Sequence, residues 1–166
     1  IAHQEAYDLI HTEHREAQVG IAHNMAVFAP CQFWNPLDRF LSGIAKHFYN
    51  HSLLDAFLTG HLRIRFPFLR AIEMDLPIRN KLDFFGVNYY TRVHIRFNPL
   101  QKMGIELKYK DMERHGFTDT GWEVHPHGIE RVLRYASKLG GPIIITENGI
   151  ATQDDQKKIR FIKRHV

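Results

Sequence analysis

The strongest indication of the fold is the segment Ile143-Ile144-Ile145-Thr146-Glu147-Asn148-Gly149. Consecutive isoleucines with no polar residue between them are typical of a strand that is covered on both faces. Gly149 lets the chain turn where the apolar run stops. The carboxylate of Glu147 is therefore expected at the end of a buried strand, on the edge where α/β proteins bind ligands. On these residues alone, Glu147 could equally cap a loop or pair with a surface lysine.

A second segment of this kind lies upstream. Residues 82–90 are rich in aromatic residues and show no polar alternation between Phe84 and Asn88, which predicts another buried strand. Its end, Asn88-Tyr89-Tyr90, is expected to face the same mouth as Glu147. Taken alone, such a tripeptide is more often a packed, hydrogen-bonded aromatic cluster than a catalytic one.

Helical patterns alternate with the strands. A short apolar run at 19–25 predicts a further strand. The sequence predicts four helical stretches: from Ile1 to His14, from Pro36 to Gly60, from Pro126 to Gly140, and after the capping residue Asp154. This order predicts a parallel α/β sheet, doubly wound or a barrel, because crossover helices join parallel neighbours. Without an internal linker or repeat, residues 1–166 are interpreted as one unit.

Residues 94–123 have no clear period and are too many for an ordinary connection. We expect either a functional loop above the strand ends or a disordered insert. Because the segment follows a strand, it would lie on the ligand-binding face of an α/β protein.

Composition excludes several classes of partner. Twenty-two basic and 18 acidic residues give a net charge of only +4, and the basic stretch 157–164 has the helical spacing of a solvated outer helix, so no nucleic acid is expected. No apolar run is long enough for a membrane-spanning helix. The single cysteine, Cys31, indicates a reducing, cytoplasmic location. The pairs His11/His14 and His125/His127 lack further ligands, so we expect neither a metal nor another cofactor.

Together the segments resemble glycoside hydrolase family 1, the β-glucosidase family of retaining glycosidases. Residues 83–91 are similar to strand six of its (β/α)8 barrel, and residues 146–149 to the end of strand seven. Gly121-Trp122-Glu123, followed by Pro126 and Gly128, resembles the family pattern Gly-Trp-Glu-x-x-Pro-x-Gly. Residues 19–21 resemble strand five, and residues 154–165 the entry into helix seven.

The resemblance implies roles for four side chains. Glu147 would be the catalytic nucleophile, which forms a covalent glycosyl-enzyme that water hydrolyses with retention of configuration. Tyr90 would hydrogen-bond this carboxylate and hold its orientation, and Asn88 would line the pocket for the terminal sugar. Trp122 would offer a flat face to the aglycone, unless it is an ordinary core tryptophan. The implied substrate is a small-molecule β-glycoside.

One required group is absent. A retaining glycosidase needs a second carboxyl group about 5 to 5.5 Å from the nucleophile, and the family's Thr-x-Asn-Glu-Pro segment does not occur here. We therefore expect an incomplete (β/α)8 barrel, roughly strands five to seven, which is inactive alone and needs the missing barrel portions or a complementary chain. The alternative is a noncatalytic barrel fragment that binds a sugar or a protein partner.

Overall fold

The computed structural model describes residues 2–66, 70–101 and 103–166. Along the chain, helices and strands alternate much as the sequence predicts. The elements are α1 (Ala2–Glu13), β1 (Gly20–Pro30), α2 (Pro36–Lys46), α3 (Ser52–Thr59), β2 (His61–Ile64), β3 (Ile72–Asp75), β4 (Phe84–Phe97), β5 (Ile105–Lys108), α4 (His127–Ala136), β6 (Ile143–Asn148) and α5 (Asp155–His165). A π-helical turn at His47–His51 joins α2 to α3.

Strand β4 is the centre of the main sheet. It pairs in parallel with β1 on one side and with β6 on the other. Helices α2 and α3 lie in the crossover from β1 to β4, and α4 lies in the crossover from β4 to β6. The last four residues of β4 pair antiparallel with β5, while β2 and β3 form a separate two-stranded sheet. The residues described here form an open α/β sheet with no closed barrel.

The helix boundaries follow the local signals in the sequence. The side chain of Asn35 accepts a hydrogen bond from Leu37 N at 2.9 Å, and Asp154 accepts one from Gln156 N at 2.8 Å. At the other ends, Gly60 and Gly140 both have φ of 77°, a left-handed conformation that glycine adopts without steric cost. These predicted helix starts and stops are confirmed. None of the helices in the described ranges is long and apolar enough to cross a membrane.

Two carboxylates, the half-buried Asp83 and the buried Asp38, fix the ends of β4. At its start, Asp83 accepts hydrogen bonds from Val19 N at 2.7 Å and from the Tyr7 hydroxyl at 2.8 Å. At its far end, the fully buried Asp38 of α2 accepts one from Phe97 N at 2.8 Å. The register of β4 against β1 is therefore held from both ends.

The core lies between the sheet and α4. The side chains that form it are apolar and buried, and they are Met25, Val27, Leu54, Phe85, Val87, Tyr89, Ile129, Val132 and Ala136. Tyr89 is fully buried, and its hydroxyl donates to the His125 carbonyl oxygen at 2.8 Å. This bond satisfies a polar group that would otherwise be costly to bury.

The prediction that residues 143–146 are covered on both faces is wrong for this structure. Ile144 and Ile145 are each 45% exposed. The reason is that β6 lies at the edge of the sheet, where β4 is its only partner in the described part of the chain.

The expectation for residues 94–123 also needs correction. The segment is neither a single loop nor a disordered insert, since residues 94–97 complete β4 and residues 105–108 form β5. Phe117 and Glu123 form an isolated antiparallel bridge farther along. The β5 residues do alternate between apolar and polar, which is a short strand signal, but it lies inside a long segment that shows no period overall.

Two glycines in helices allow a matched test of core packing. A Cβ atom at Gly128 would lie 1.8 Å from the Tyr89 hydroxyl oxygen, whereas one at Gly43 would meet nothing within 4 Å. We expect Gly128→Ala to lower the free energy of unfolding by about 1 to 3 kcal/mol through overpacking. Gly43→Ala should raise it by about 0.5 to 1 kcal/mol. Urea denaturation monitored by circular dichroism measures both, and equal effects of the two substitutions would refute this packing.

Candidate active site

Three polar side chains lie in a row across the parallel strands, level with the carboxyl end of β6. Asn24 of β1 is the register partner of Asn88 of β4, and Asn88 is the partner of Glu147 of β6. The pairing of β4 with β6 shifts by one residue here, because Val87 faces Ile145 while Asn88 faces Glu147. Thr146 is thus the extra residue of a β-bulge, a feature common at barrel rims and beside active sites. Without the bulge, Thr146 would lie opposite Asn88.

Glu147 is held by its neighbour Tyr90. The Tyr90 hydroxyl donates a hydrogen bond to Glu147 Oε2. This bond, together with partial burial and the carboxylate's charge, raises the pKa of Tyr90 to about 12. The phenol therefore keeps its proton at neutral pH and acts as a donor. Beside it, the Thr146 hydroxyl donates to Asn88 Oδ1, so that the bulge residue orients the asparagine amide.

Trp122 lies beside Tyr90 and is 40% exposed, which does not fit an ordinary core tryptophan. The centroids of the two rings are 6.2 Å apart, at an interplanar angle of 65°. On its other side, Trp122 stacks on Tyr109 at 6.3 Å and 20°. These rings line a cavity of about 270 Å³, together with side chains that include Asn24 and Tyr49. We call Tyr90, Trp122 and Tyr109 the aromatic wall, and Tyr90 links this wall to the Glu147 carboxylate.

The loop that carries Trp122 is anchored by a buried ion pair. Arg92 Nε donates to Glu123 Oε2 at 3.0 Å, and Arg92 Nη2 donates to Glu123 Oε1. His94 Nε2 lies 3.1 Å from Oε2, and the backbone N of Met112 donates to Oε1 at 3.2 Å. Burial alone would raise the pKa of Glu123, but the hydrogen bonds from His94 and Arg92 outweigh burial and lower the pKa to about 2.

Sequence reasoning did not assign a role to this ion pair. Glu123 enters the sequence prediction only as part of the Gly-Trp-Glu pattern, and no role is predicted for Arg92 or His94. One signal was available, because a charged residue such as Arg92 inside an apolar strand is almost never fully buried without a partner. The residues that the sequence predicts for the site do lie close to one another. Glu147, Tyr90 and Asn88 lie together, with Trp122 next to Tyr90.

Comparison with known proteins gives a consistent result. The sequence profile of glycosyl hydrolase family 1 matches residues 1–166. A β-galactosidase from Sulfolobus acidocaldarius is 28% identical over 173 residues, which cover 99% of this chain and 33% of that protein. A β-glucosidase A from Acetivibrio thermocellus is 26% identical over 190 residues, with 100% of this chain and 41% of that protein covered.

Solved structures agree with the sequence matches. The β-glycosidase from Pyrococcus horikoshii superposes with a TM-score of 0.80 and 38% identity, over 99% of this chain and 36% of that one. A family 1 β-glucosidase from Thermotoga maritima superposes with a TM-score of 0.78 and 27% identity, over 99% of this chain and 40% of that one. The predicted fold class, an incomplete (β/α)8 barrel, is confirmed. The chain spans about a third of the length of the β-galactosidases that it matches.

Removal of the Glu123 charge tests the anchor of the Trp122 loop. We expect Glu123→Gln to lower the free energy of unfolding by about 3 kcal/mol at pH 7, because it leaves Arg92 with a weaker buried partner. The depressed pKa of Glu123 means that the unfolded chain binds the extra proton first as pH falls. The stability difference between wild type and variant should therefore be complete above the usual carboxyl pKa of 4.5 and shrink as the pH falls towards about 2.

Chemical denaturation at several pH values measures this difference. Glu130→Gln is the matched control, since Glu130 forms an exposed ion pair with Arg134 on α4. It should change stability by less than about 0.5 kcal/mol. A pH-independent difference for Glu123→Gln would show that the carboxylate is not ionised in the folded state.

Proposed function

Because this chain belongs to glycosyl hydrolase family 1, we propose that it carries the nucleophile side of the active site of a retaining β-glycosidase. The observation that carries the proposal is the contact between Tyr90 and Glu147, in which a protonated phenol holds a carboxylate at the carboxyl end of a parallel strand. A carboxylate fixed in this way is suited to attack on a sugar carbon. The substrate class is a terminal β-linked sugar, since relatives of the chain are named β-galactosidases and β-glucosidases.

In the proposed reaction, a Glu147 oxygen attacks the anomeric carbon while the bond from that carbon to the aglycone oxygen breaks. A general acid protonates the leaving oxygen, and a covalent glycosyl-enzyme remains. The same acid then acts as base and removes a proton from water, which attacks the anomeric carbon and releases Glu147. Two displacements restore the original configuration. Because Tyr90 binds Oε2, we assign the attack to Oε1.

The neighbouring side chains take complementary roles in this proposal. Asn88 uses its Oδ1 to accept from Thr146, which leaves the Nδ2 donors for hydroxyl groups of the terminal sugar. Trp122 presents the exposed part of its ring to the aglycone. No cofactor takes part in this chemistry.

The acid/base carboxyl group comes from outside this chain in our proposal, because the sequence contains no Thr-x-Asn-Glu-Pro segment. Further barrel strands or a complementary chain would supply it and would cover the open edge at β6. We also propose a cytoplasmic location, since one cysteine cannot form an internal disulfide.

Complementation tests the assignment of Glu147. The 166-residue chain is assayed on an aryl β-glucoside and an aryl β-galactoside, alone and together with the remaining strands of a family 1 relative. We expect no turnover by the chain alone, turnover by the mixture, and a loss of several orders of magnitude with Glu147→Ala, because the nucleophile is then missing. Glu130→Ala, which removes an exposed carboxylate on α4, should leave turnover unchanged.

Two results would contradict the proposal. Turnover that survives Glu147→Ala in the mixture would remove this residue from the mechanism. A mixture that folds and binds the glycosides without turnover would support the noncatalytic, sugar-binding alternative instead.

Tyr90→Phe tests the role of the phenol in the same mixture. We expect kcat to fall by about 100-fold, the size of effect seen when one positioned hydrogen-bond donor is removed from an active site. KM should change much less, because the phenol contacts the carboxylate and not the sugar. Tyr135→Phe is the control, since this tyrosine bonds to Asp55 away from the site. If both variants keep wild-type kcat, Tyr90 does not position the nucleophile.

A further inference from the structure

A second cluster of chemically active side chains lies away from Glu147, between the loop at 111–116 and the start of α4. Glu113, His115 and His127 each offer one ligand atom there, and these atoms all lie within 4.8 Å of one another. The expectation that the pair His125/His127 lacks further ligands is thus wrong for His127. Glu113 and His115 come from residues 94–123, for which the sequence predicts either a functional loop or a disordered insert.

The carboxylate of Glu113 has one oxygen bound and one oxygen free. Arg92 Nη1 donates to Oε1 at 3.2 Å. Oε2 is buried without a hydrogen-bond partner and lies 3.7 Å from His115 Nε2. Two ligands that are each about 2.1 Å from a tetrahedral metal ion are separated by about 3.4 Å, so this pair is already close to the required spacing. A buried polar atom without a partner is the kind of group that an ion or a water satisfies.

The charges around the cluster favour a cation. Arg92 is already paired with the fully buried Glu123, which leaves the charge of Glu113 only partly balanced. His125 is fully buried beside it, with Nδ1 3.0 Å from Glu113 Oε1.

The loop holds its two ligands in a defined position. The Asp111 carboxylate accepts hydrogen bonds from His115 N at 2.8 Å and from Gly116 N at 2.9 Å. Arg114, between the two ligands, has φ of 56°, a left-handed conformation that non-glycine residues seldom adopt. Glu113 and His115 are therefore brought together by the backbone, while His127 is exposed at the first turn of α4.

We propose that Glu113, His115 and His127 bind a divalent metal ion of the zinc type, with water in the fourth position. Two imidazoles and one carboxylate are a known zinc ligand set, and imidazole ligands favour zinc over magnesium or calcium. The Arg92 bond to Glu113 supplies the outer-shell hydrogen bond that ligating carboxylates make. The ion would join the 111–116 loop to α4, the two segments that precede and follow Trp122 in the sequence. This inference does not rest on the proposed glycosidase function.

Zinc titration of the untagged 166-residue chain by calorimetry tests the site. Co²⁺ absorption is a second readout, because tetrahedral Co²⁺ absorbs far more strongly than octahedral Co²⁺. We expect one ion bound per chain and an intense visible Co²⁺ band. His127→Gln should weaken zinc binding at least about tenfold, because loss of even an outer-shell partner costs about 10- to 100-fold. His14→Gln, which removes an exposed histidine outside the cluster, should bind zinc as wild type does.

A stability measurement with a second ligand variant complements the titration. Zinc should raise the melting temperature of the wild type, because a ligand that binds only the folded chain stabilises it. The rise should be absent in both His127→Gln and His115→Gln, and present in His14→Gln. Failure of the wild type to bind zinc, or equal binding by wild type and His127→Gln, would overturn the proposal.

Discussion

The pairing of β4 with β6 is the constraint on which the candidate site depends. Side chains alternate between the faces of a strand, so a shift of one residue would turn every side chain of β6 to the opposite face. The bulge at Thr146 makes such a shift locally and brings Glu147 opposite Asn88. Tyr90 then lies within reach of the carboxylate. Because Asp83 and Asp38 fix both ends of β4, the position of Glu147 is set by backbone pairing before any substrate binds.

Elements with strong local signals were predictable from the sequence. The capped helix starts at Asn35 and Asp154 and the glycine stops at Gly60 and Gly140 are local chemistry, and the structure has them where the residues indicate. The grouping of Asn88, Tyr90 and Glu147 followed from one rule, that parallel strands end at a common edge. The sequence was less informative where pairing is non-local. The bulge and the exposure of β6 depend on which strands lie adjacent, and no local period in the sequence records that.

Buried charges connect the two sites through one strand. Arg92 of β4 binds Glu123, which follows Trp122, and it also binds Glu113 of the candidate metal cluster. Removal of one partner from a buried ion pair is far more costly than loss of a surface pair. The aromatic wall beside Tyr90 is therefore stabilised by electrostatics inside the sheet as well as by ring stacking with Tyr109. Arg92 itself signals a buried partner, but its partners Glu113 and Glu123 cannot be identified from the sequence because they lie 21 and 31 positions away.

Covalent trapping is the most direct test of the central claim. The complemented enzyme is incubated with a 2-deoxy-2-fluoro glycoside that carries an activated leaving group, and the digested protein is analysed by mass spectrometry. Our account predicts one sugar adduct, on the carboxylate of Glu147, and no adduct in the Glu147→Ala variant. A sugar attached to any other residue of an active assembly would contradict the account.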